Sequence, residues 1–323
     1  MTLAISSLEQ AAALVYEHMA PTPQLHWPLL CQELGAEVWV KHENHAPTGA
    51  FKVRGGITFM DWLRRTHPEY RGIVSATRGN HGQSQARAAR SAGLEARIVV
   101  PEGNSVEKNA AMAAFGADLV VCGRDFDEAR EAAQRLAATD DLFMVPPFHP
   151  ELVRGVATYA LELFRAVHAI DTVYVPIGCG SGICGVIAAR DALGLDTEIV
   201  GVVSTAAPAA RDAFISGNIE SSTTAITLAD GIAVRQVVPE ALTIYRRGAS
   251  RVVTVSDDEI AEAMRLYFRT THNVAEGAGA AALAALMQER EQQRDRRSAV
   301  ILCGGNVDTQ LFRQILAGET PRP

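Results

Sequence analysis

A single lysine near the start of the chain has the surroundings of a reactive amine. Lys52 lies in the segment KHENHAPTGAFKVRGG (41–56), where small residues leave room beside the amine and Phe51 places a flat apolar surface next to it. A lysine in water has a pKa of about 10.4, so its amine becomes a nucleophile only where burial or a neighbouring cation lowers that pKa. A solvated surface lysine needs no such neighbourhood. Lys52 is therefore the first candidate for chemistry.

A second candidate segment, SATRGNHGQS (75–84), combines the end of a predicted strand with a turn and the start of a helix. The turn runs from Thr77 to Gly82 and carries the polar residues Asn80 and His81. Ligands of parallel α/β proteins bind at the carboxyl ends of the strands. The turn is therefore a candidate binding loop.

A glycine-rich loop, GCGSGICG (178–185), follows the predicted strand DTVYVPI (171–177) and precedes a helix-like segment. Free N–H groups and the helix dipole at such a junction favour an anion, and a phosphate is the natural ligand. The loop also spells G-x-G-x-x-G, the dinucleotide signature, but the strand EIVGVV (198–203) closes on Ser204 instead of the expected acid. Three interpretations stay open: the phosphate of a smaller cofactor, a dinucleotide, and a purely structural turn.

Together with a late CGGN segment (303–306), these motifs resemble the fold-type II pyridoxal-phosphate enzymes, in particular the serine/threonine dehydratase group. That family carries P-T-x-S-F-K-x-R-G, S-x-G-N-H-x-Q, a glycine-rich phosphate loop and S/C-G-G-N. This chain has APTGAFKVRGG, ATRGNHGQS, GCGSG and CGGN in the same order, over essentially its whole length. The resemblance implies pyridoxal 5'-phosphate as the cofactor. It also implies an α/β fold of two open, mainly parallel twisted sheets with helices on both faces and an active site between two domains.

The resemblance also assigns cofactor-binding roles to matching positions. Lys52 would form the Schiff base with the cofactor aldehyde, Phe51 would pack against the pyridine ring, and Asn80 would hydrogen-bond the ring oxygen. The phosphate would be held by backbone N–H groups of the first five residues of the glycine-rich loop: Gly178, Cys179, Gly180, Ser181 and Gly182.

Two later residues match positions near the cofactor ring. Cys303 corresponds to the residue that contacts the ring nitrogen, and a thiol cannot keep that nitrogen protonated as a carboxylate would. A weaker electron sink suits prompt loss of a β-substituent. The alternative for Cys303 is a buried, inert cysteine. Glu276 lies near the ring in relatives, but Gly277 replaces the usual proline, and a role at the helix dipole is an equal alternative.

The implied reaction is β-elimination from a β-hydroxy amino acid of the threonine or serine type, which yields a 2-oxo acid and ammonia. Lys52 would remove the α-proton, and the substrate would bind at the loop residues Thr77, Arg78, Gly79 and His81. Arg78 stands where racemases of the family carry a serine base, and arginine stays protonated, so racemisation is disfavoured. Arg78 could bind the substrate carboxylate, bind a second carboxylate, or face solvent. Packing or helix capping is preferred over catalysis for His81.

Other functions remain compatible with these motifs. The dehydratase could be specific for 3-hydroxyaspartate or 3-phenylserine. A β-replacement enzyme and a non-catalytic pyridoxal-phosphate binding protein are less favoured alternatives. Relatives that bind a divalent cation use an acidic pair after the strand equivalent to 198–203, and the first acid here is Asp212. We therefore expect no metal site of that type.

Alternation of short β-rich runs with helical patterns predicts parallel strands joined by crossover helices. The predicted strands are EVWV (37–40), GIVSA (72–76), ARIVV (96–100), DLVVC (118–122), DTVYVPI (171–177), EIVGVV (198–203), RVVTV (251–255) and SAVILC (298–303). We expect one helix to open on a serine in SLEQAAALVYEHM (7–19) and another to follow Ser256 over 257–267. The polar stretch 216–225 is a predicted exposed loop.

The resemblance, with the length of 323 residues, predicts two domains. The large cofactor-binding domain would comprise 1–64 and 151–323, and the small domain 65–150. The proline-rich segment MVPPFHP (144–150) is the predicted crossing between them, because proline interrupts both helix and strand.

The composition is that of a globular protein whose function lies in a pocket. A formal charge of −7 with no run of like charge argues against nucleic-acid or anionic-membrane partners. Nowhere does the chain reach the roughly 18 consecutive apolar residues of a membrane span. Its five cysteines are scattered and odd in number, which predicts a reducing cytoplasm. The expected partner is a small amino-acid substrate, and the resemblance implies a homo-oligomer, most simply a dimer.

Overall fold

The computed structural model describes residues 3–124, 126–219 and 224–322, over which the chain forms two separate sheets. In chain order the strands are β1 (Gln24–His26), β2 (Glu37–His42), β3 (Gly72–Ala76), β4 (Glu95–Val100), β5 (Asp118–Val121), β6 (Phe143–Met144), β7 (Thr172–Pro176), β8 (Glu198–Ser204), β9 (Arg251–Val255) and β10 (Arg297–Leu302). The larger sheet has the order β1-β2-β10-β7-β8-β9, and the smaller sheet has the order β5-β4-β3-β6.

Helices alternate with these strands along the chain. They are α1 (Ile5–Tyr16), α2 (Pro28–Leu34), α3 (Lys52–Thr66), α4 (Asn80–Ser91), α5 (Val106–Ala114), α6 (Phe126–Asp140), α7 (Pro150–Ala166), α8 (Ser181–Ala192), α9 (Ala209–Ser216), α10 (Pro239–Gly248), α11 (Asp257–Thr271), α12 (Gly277–Gln288) and α13 (Thr309–Leu316). Within the described residues, no helix combines the length and hydrophobicity that a membrane crossing requires.

Both sheets are mainly parallel, as predicted. Every neighbouring pair of strands is parallel except β1 with β2, where Leu25 faces Val40. The central strand β7 is buried along its whole length, which explains its run of consecutive apolar residues. The predicted fold class is confirmed, and the carboxyl ends of β2, β10 and β7 meet at one edge of the larger sheet.

The eight predicted strands are all present, with boundaries within two residues of the prediction. The sequence did not predict β1 and β6, because three and two residues are too few to show alternation. Helix α11 follows Ser256, which forms a capping box with Glu259, and it continues to Thr271 rather than ending near 267. The predicted loop 216–225 contains residues 220–223, which lie outside the described residues.

The predicted start of the first helix at a serine was wrong. Helix α1 begins at Ile5 after Ala4, and no side chain caps it. Of its buried residues, Leu8 lies in the core cluster that includes α7, and Val15 lies in a smaller cluster with Val53 and Ile57 of α3. Packing of this apolar face, rather than a serine cap, therefore accounts for the helix.

A buried ionic network supports the start of α3, the helix that begins with Lys52. Arg54 donates from Nε to Glu43 at 2.8 Å and from Nη1 to Glu162 at 2.6 Å. Lys41 donates to the other oxygen of Glu162 at 2.5 Å. Burial opposes ionisation of Glu162, but the adjacent Arg54 and Lys41 still hold its pKa below the ordinary value. The network joins β2, α3 and α7 beneath the site.

Removing one charge from this network should destabilise the protein far more than removing a surface charge. Glu162→Gln leaves Arg54 and Lys41 undercompensated, and we expect the free energy of unfolding to fall by about 3–5 kcal/mol. The matched control is Asp61→Asn, which breaks the exposed pair with Arg65 and should cost less than about 1 kcal/mol. Urea unfolding measures both. Equal losses for the two variants would contradict a structural role of the network.

Candidate active site

The candidate site lies where the carboxyl ends of strands from both sheets come together. Cys303 directly follows β10, and the glycine-rich loop begins two residues after β7. Thr77 directly follows β3 of the smaller sheet. This is the edge at which open parallel sheets bind ligands.

Contacts with two other segments fix the backbone at Lys52, the first residue of α3. The N–H of Phe51 donates to the carbonyl oxygen of Cys303 at 3.0 Å, and Ala50 forms an isolated bridge with Gly304. Ser84 of α4 donates from its hydroxyl to the carbonyl oxygen of Lys52 at 2.6 Å. The lysine is therefore held between the end of β10 and helix α4, which follows β3 of the smaller sheet.

The amine of Lys52 has the environment that the sequence predicted for a reactive group. It donates a hydrogen bond to the hydroxyl oxygen of Ser181 at 3.1 Å and lies 4.9 Å from the centre of the Phe51 ring. Burial lowers the pKa of Lys52, and the nearby Cys179 and Cys303 oppose that shift. A larger fraction of the amine is therefore unprotonated near neutral pH than for a lysine in water.

The glycine-rich loop ends at an uncapped helix. Helix α8 begins at Ser181 after Gly180, and among the described residues no side chain caps it. Gly180 has φ +95°, a conformation that favours glycine, and a Cβ there would lie 2.6 Å from the Cβ of Ala241. The hydroxyl of Tyr159 donates to the carbonyl oxygen of Gly182 at 3.2 Å. The loop is thus fixed from behind, and its backbone donors remain available to an anion.

Asn80 lies in a chain of side-chain hydrogen bonds. Its Nδ2 donates to Oε1 of Glu276 at 2.6 Å, and its Oδ1 accepts from Nδ2 of Asn306 at 2.8 Å. Asn306 also donates to the carbonyl oxygen of Thr48 at 2.8 Å. The amide of Asn80 is therefore oriented from both ends.

Glu276 is a buried carboxyl group immediately before α12. Burial raises its pKa to about 7, Lys108 opposes the rise, and Asp230 adds to it. Its backbone N–H donates to the carbonyl oxygen of Gly304 at 3.1 Å. Glu276 therefore lies beside Asn80, with a pKa raised toward neutrality, and its position near the cofactor ring stays a prediction.

The predicted substrate loop is partly occupied by its own hydrogen bonds. The hydroxyl of Thr77 accepts from the N–H of Gly79 at 3.0 Å and from the N–H of Gly82 at 3.3 Å. Burial and the nearby Lys52 lower the pKa of His81 to about 3, so its imidazole is neutral. Among the described residues, Nε2 of His81 and the exposed guanidinium of Arg78 have no hydrogen-bond or ion-pair partner. Both side chains are thus available to a ligand.

Comparison with known proteins identifies the family. Residues 15–304 match the pyridoxal-phosphate dependent enzymes. The chain belongs to this family. It is 33% identical over 310 residues to an L-threonine ammonia-lyase of Geobacter sulfurreducens. The matched region covers 96% of this chain and 77% of that protein. This chain is 30% identical over 310 residues to an L-threo-3-hydroxyaspartate ammonia-lyase of Saccharomyces cerevisiae, spanning 96% and 95% of the two chains. The structure of the processed form of threonine deaminase isoform 2 from Solanum lycopersicum superposes with a TM-score of 0.90 at 28% identity. The superposition covers 98% of this chain and 95% of that chain.

The residues of this pyridoxal-phosphate dependent enzyme fit its cofactor. The uncapped start of α8 offers backbone donors for a phosphate, and the Lys52 amine is hydrogen-bonded to Ser181 in the same turn. Burial raises the pKa of Cys303 well above the ordinary value, so it remains a neutral thiol. The predicted cofactor and the predicted resemblance to serine/threonine dehydratases are both confirmed. The dinucleotide interpretation of the glycine-rich loop is not supported.

Four residues of the site escaped the sequence analysis as site residues: Tyr159, Lys108, Asp230 and Asn306. Asn306 belongs to the CGGN motif and could have been inferred from it. The rarity of lysine is a signal for Lys108, because the chain contains only three lysines among its 30 lysine and arginine residues. Nothing local distinguishes Tyr159 from an ordinary core residue of α7.

We expect Gly180→Ala to weaken cofactor binding by at least about tenfold, or 1.4 kcal/mol. The added methyl group meets Ala241 and displaces the loop that holds the phosphate. Gly194→Ala is the matched control, because Gly194 also has positive φ but an added Cβ there meets nothing within 4 Å. Absorbance titration with pyridoxal phosphate compares the two. Similar affinities would show that the loop does not bind the phosphate.

Proposed function

We propose that the enzyme is an ammonia-lyase that converts a β-hydroxy amino acid of the threonine or serine type to a 2-oxo acid and ammonia. The observation that carries this proposal is the Lys52 amine, whose pKa is lowered by burial between Phe51, Ser181 and the neutral thiol of Cys303. The relatives named as L-threonine ammonia-lyase and L-threo-3-hydroxyaspartate ammonia-lyase support the same reaction class.

Lys52 is the proposed base for the α-proton of the substrate. The bound cofactor supplies the electron sink that makes this proton acidic. Lys52 can accept a proton near neutral pH because burial lowers its pKa. Ser181, which accepts a hydrogen bond from the amine at 3.1 Å, keeps that amine directed toward the phosphate loop.

Cys303 and Arg78 favour elimination over racemisation. A neutral thiol cannot keep a proton on the cofactor's ring nitrogen, and a weak electron sink favours prompt loss of the β-hydroxyl. By the resemblance, Arg78 stands at the loop position where racemases of the family carry a second base. A guanidinium cannot accept a proton there. We therefore propose one base, Lys52, and one productive face.

A second candidate substrate is 3-hydroxyaspartate. The guanidinium of Arg78 is exposed in the substrate loop and has no ion-pair partner among the described residues. Arginine binds carboxylates through two parallel hydrogen bonds, so it could bind the additional carboxylate of this substrate. The yeast relative that carries this substrate in its name covers 96% of the chain.

The remaining assignments are proposals supported by the resemblance. We propose a large domain of 1–64 and 151–323, a small domain of 65–150, a homodimer and a cytoplasmic location. The segment 145–149 links β6 of the smaller sheet to α7, which supports the second boundary. All five cysteines are unpaired, which supports a reducing compartment.

Borohydride reduction of the holoenzyme should attach the cofactor to Lys52. Only Lys41 and Lys108 compete as lysine side chains, so peptide mapping gives a clear result. Lys52→Ala should abolish the Schiff-base absorbance and lower the rate of ammonia release by about 10²–10⁴-fold or more. A label on another lysine would overturn the proposal.

Arg78→Ala should distinguish the two candidate substrates. If Arg78 binds a second carboxylate, kcat/KM for 3-hydroxyaspartate should fall about 10- to 100-fold more than kcat/KM for threonine, because a charge-assisted bond contributes about 1.5–3 kcal/mol. Arg78→Lys is the charge-retaining control and should recover part of the loss. Equal losses on both substrates would rule out this role.

A further inference from the structure

Lys108 is a buried cation in the site to which the proposed reaction assigns no role. It lies in the first turn of α5 and its side chain is 10% exposed. Of the 30 lysine and arginine residues, all except Lys41, Lys52 and Lys108 are arginine. Lysine at position 108 is thus unusual for this chain, in which arginine is the common cation.

The side chain of Lys108 joins three segments that converge on the cofactor-binding region. Its ammonium forms an ion pair with Asp230 and lies 3.9 Å from Oε2 of Glu276. Its stem passes over Gly79, where an added Cβ would lie 2.7 Å from Cδ of Lys108. Helix α5 therefore contacts the substrate loop, the segment at 230 and the start of α12 through one side chain.

Glu276 lies between this cation and Asn80. One carboxyl oxygen of Glu276 accepts from Asn80 at 2.6 Å. The other has no hydrogen-bond partner among the described residues, and the ammonium of Lys108 is the cation nearest to it. A hydrogen bond to an ionised carboxylate is roughly twice as strong as one to a neutral group, so the charge state of Glu276 determines how firmly Asn80 is held.

We propose that Lys108 is a positioning residue, whose ammonium keeps Glu276 as the ionised acceptor that orients Asn80, with Asp230 holding the ammonium in place. The inference rests on the proposed function only in giving Asn80 a role at the cofactor. The groups that face Glu276 from the surrounding elements are Lys108 of α5, Asp230, Asn80 of α4 and Cys303 after β10. Of these, only Lys108 carries a positive charge.

Lysine suits this position better than arginine. The narrow space above Gly79 fits an unbranched chain, and a compact ammonium can be shared between two carboxylates. The planar guanidinium of arginine is larger and needs a fixed orientation. Lys108→Arg should therefore keep the charge but only partly restore the function.

The first test uses the cofactor-free protein, so that its outcome does not depend on activity. A carboxyl group whose pKa is raised on folding stabilises the protein at low pH, and this stability is lost as the pH rises through its folded pKa, here about 7. In Lys108→Met the pH at which this stability is lost should rise by about one to three units, because the positive charge that favours the ionised carboxylate has been removed. Urea midpoints measured from pH 5 to 9 give the shift.

Two further variants establish that the effect passes through Glu276. In a Glu276→Gln background, Lys108→Met should no longer change the pH dependence of the midpoint. Asp230→Asn removes a negative charge near Glu276 and frees the ammonium of Lys108 from its ion pair. The pH at which the stability is lost should therefore fall in this variant. A shift that persists without Glu276, or no shift in either single variant, overturns the proposal. Asp230→Asn also provides the answer if Lys108→Met does not fold.

Glu107→Gln controls for simple loosening of α5. Glu107 accepts from the N–H of Thr309 at 2.9 Å, so this variant weakens the attachment of α5 without changing the charge beside Glu276. Its midpoint should fall by a similar amount at every pH. A pH shift like that of Lys108→Met would show that attachment of α5, rather than charge, is responsible.

The loaded enzyme provides an independent measurement. In Lys108→Met, kcat should fall about tenfold at pH 7 and recover at higher pH as Glu276 ionises, with a smaller change in KM. Lys108→Arg should show a profile closer to that of the unmodified protein. If the unmodified protein takes up no pyridoxal phosphate, the proposed function fails, and the unfolding experiment still decides the role of Lys108. A kcat loss that is constant with pH contradicts the proposal.

Discussion

Desolvation of one lysine amine is the constraint on which the site depends. An amine loses its proton near neutral pH only where the surroundings disfavour the ammonium, and no single segment can exclude water from it. Ser181 and Cys303 approach Lys52 from two distant parts of the chain and lie around its neighbour Phe51. All three residues come after strands of the larger sheet, at its carboxyl edge, so the fold rather than one segment creates the reactive group.

The same constraint explains why fully compensated charges lie beneath α3. The helix that begins at Lys52 is anchored through Arg54 to Glu43 and Glu162. Such a network contributes less to net stability than apolar packing of equal volume, but it has one favourable geometry. We infer that it fixes the orientation of the helix start, because misaligned partners would leave buried charges unpaired.

Contiguous motifs made much of the site predictable from the sequence. Lys52, Asn80 and the glycine-rich loop each follow a strand or begin a helix, so local pattern and turn chemistry locate them at the carboxyl edges of the two sheets. The pairing of Lys108 with Asp230 spans 122 residues of sequence and could not be inferred from spacing. The pKa of Glu276 depends on burial, on the charges of Lys108 and Asp230 and on the hydrogen bond from Asn80, and these contacts likewise exist only in the folded chain.

The small number of lysines restricts where an aldehyde cofactor can react. Lys41 is fully buried and donates to Glu162 at 2.5 Å and to the carbonyl oxygen of Thr22 at 2.7 Å, so no aldehyde can reach it. Burial opposes protonation of Lys108, but its carboxylate neighbours still raise its pKa, which keeps it an ammonium that cannot attack a carbonyl. Among the three lysines, only Lys52 is both partly accessible and readily deprotonated. Arginine supplies the remaining positive charge without offering a competing amine, so the selectivity for position 52 follows from composition as well as from the geometry of the site.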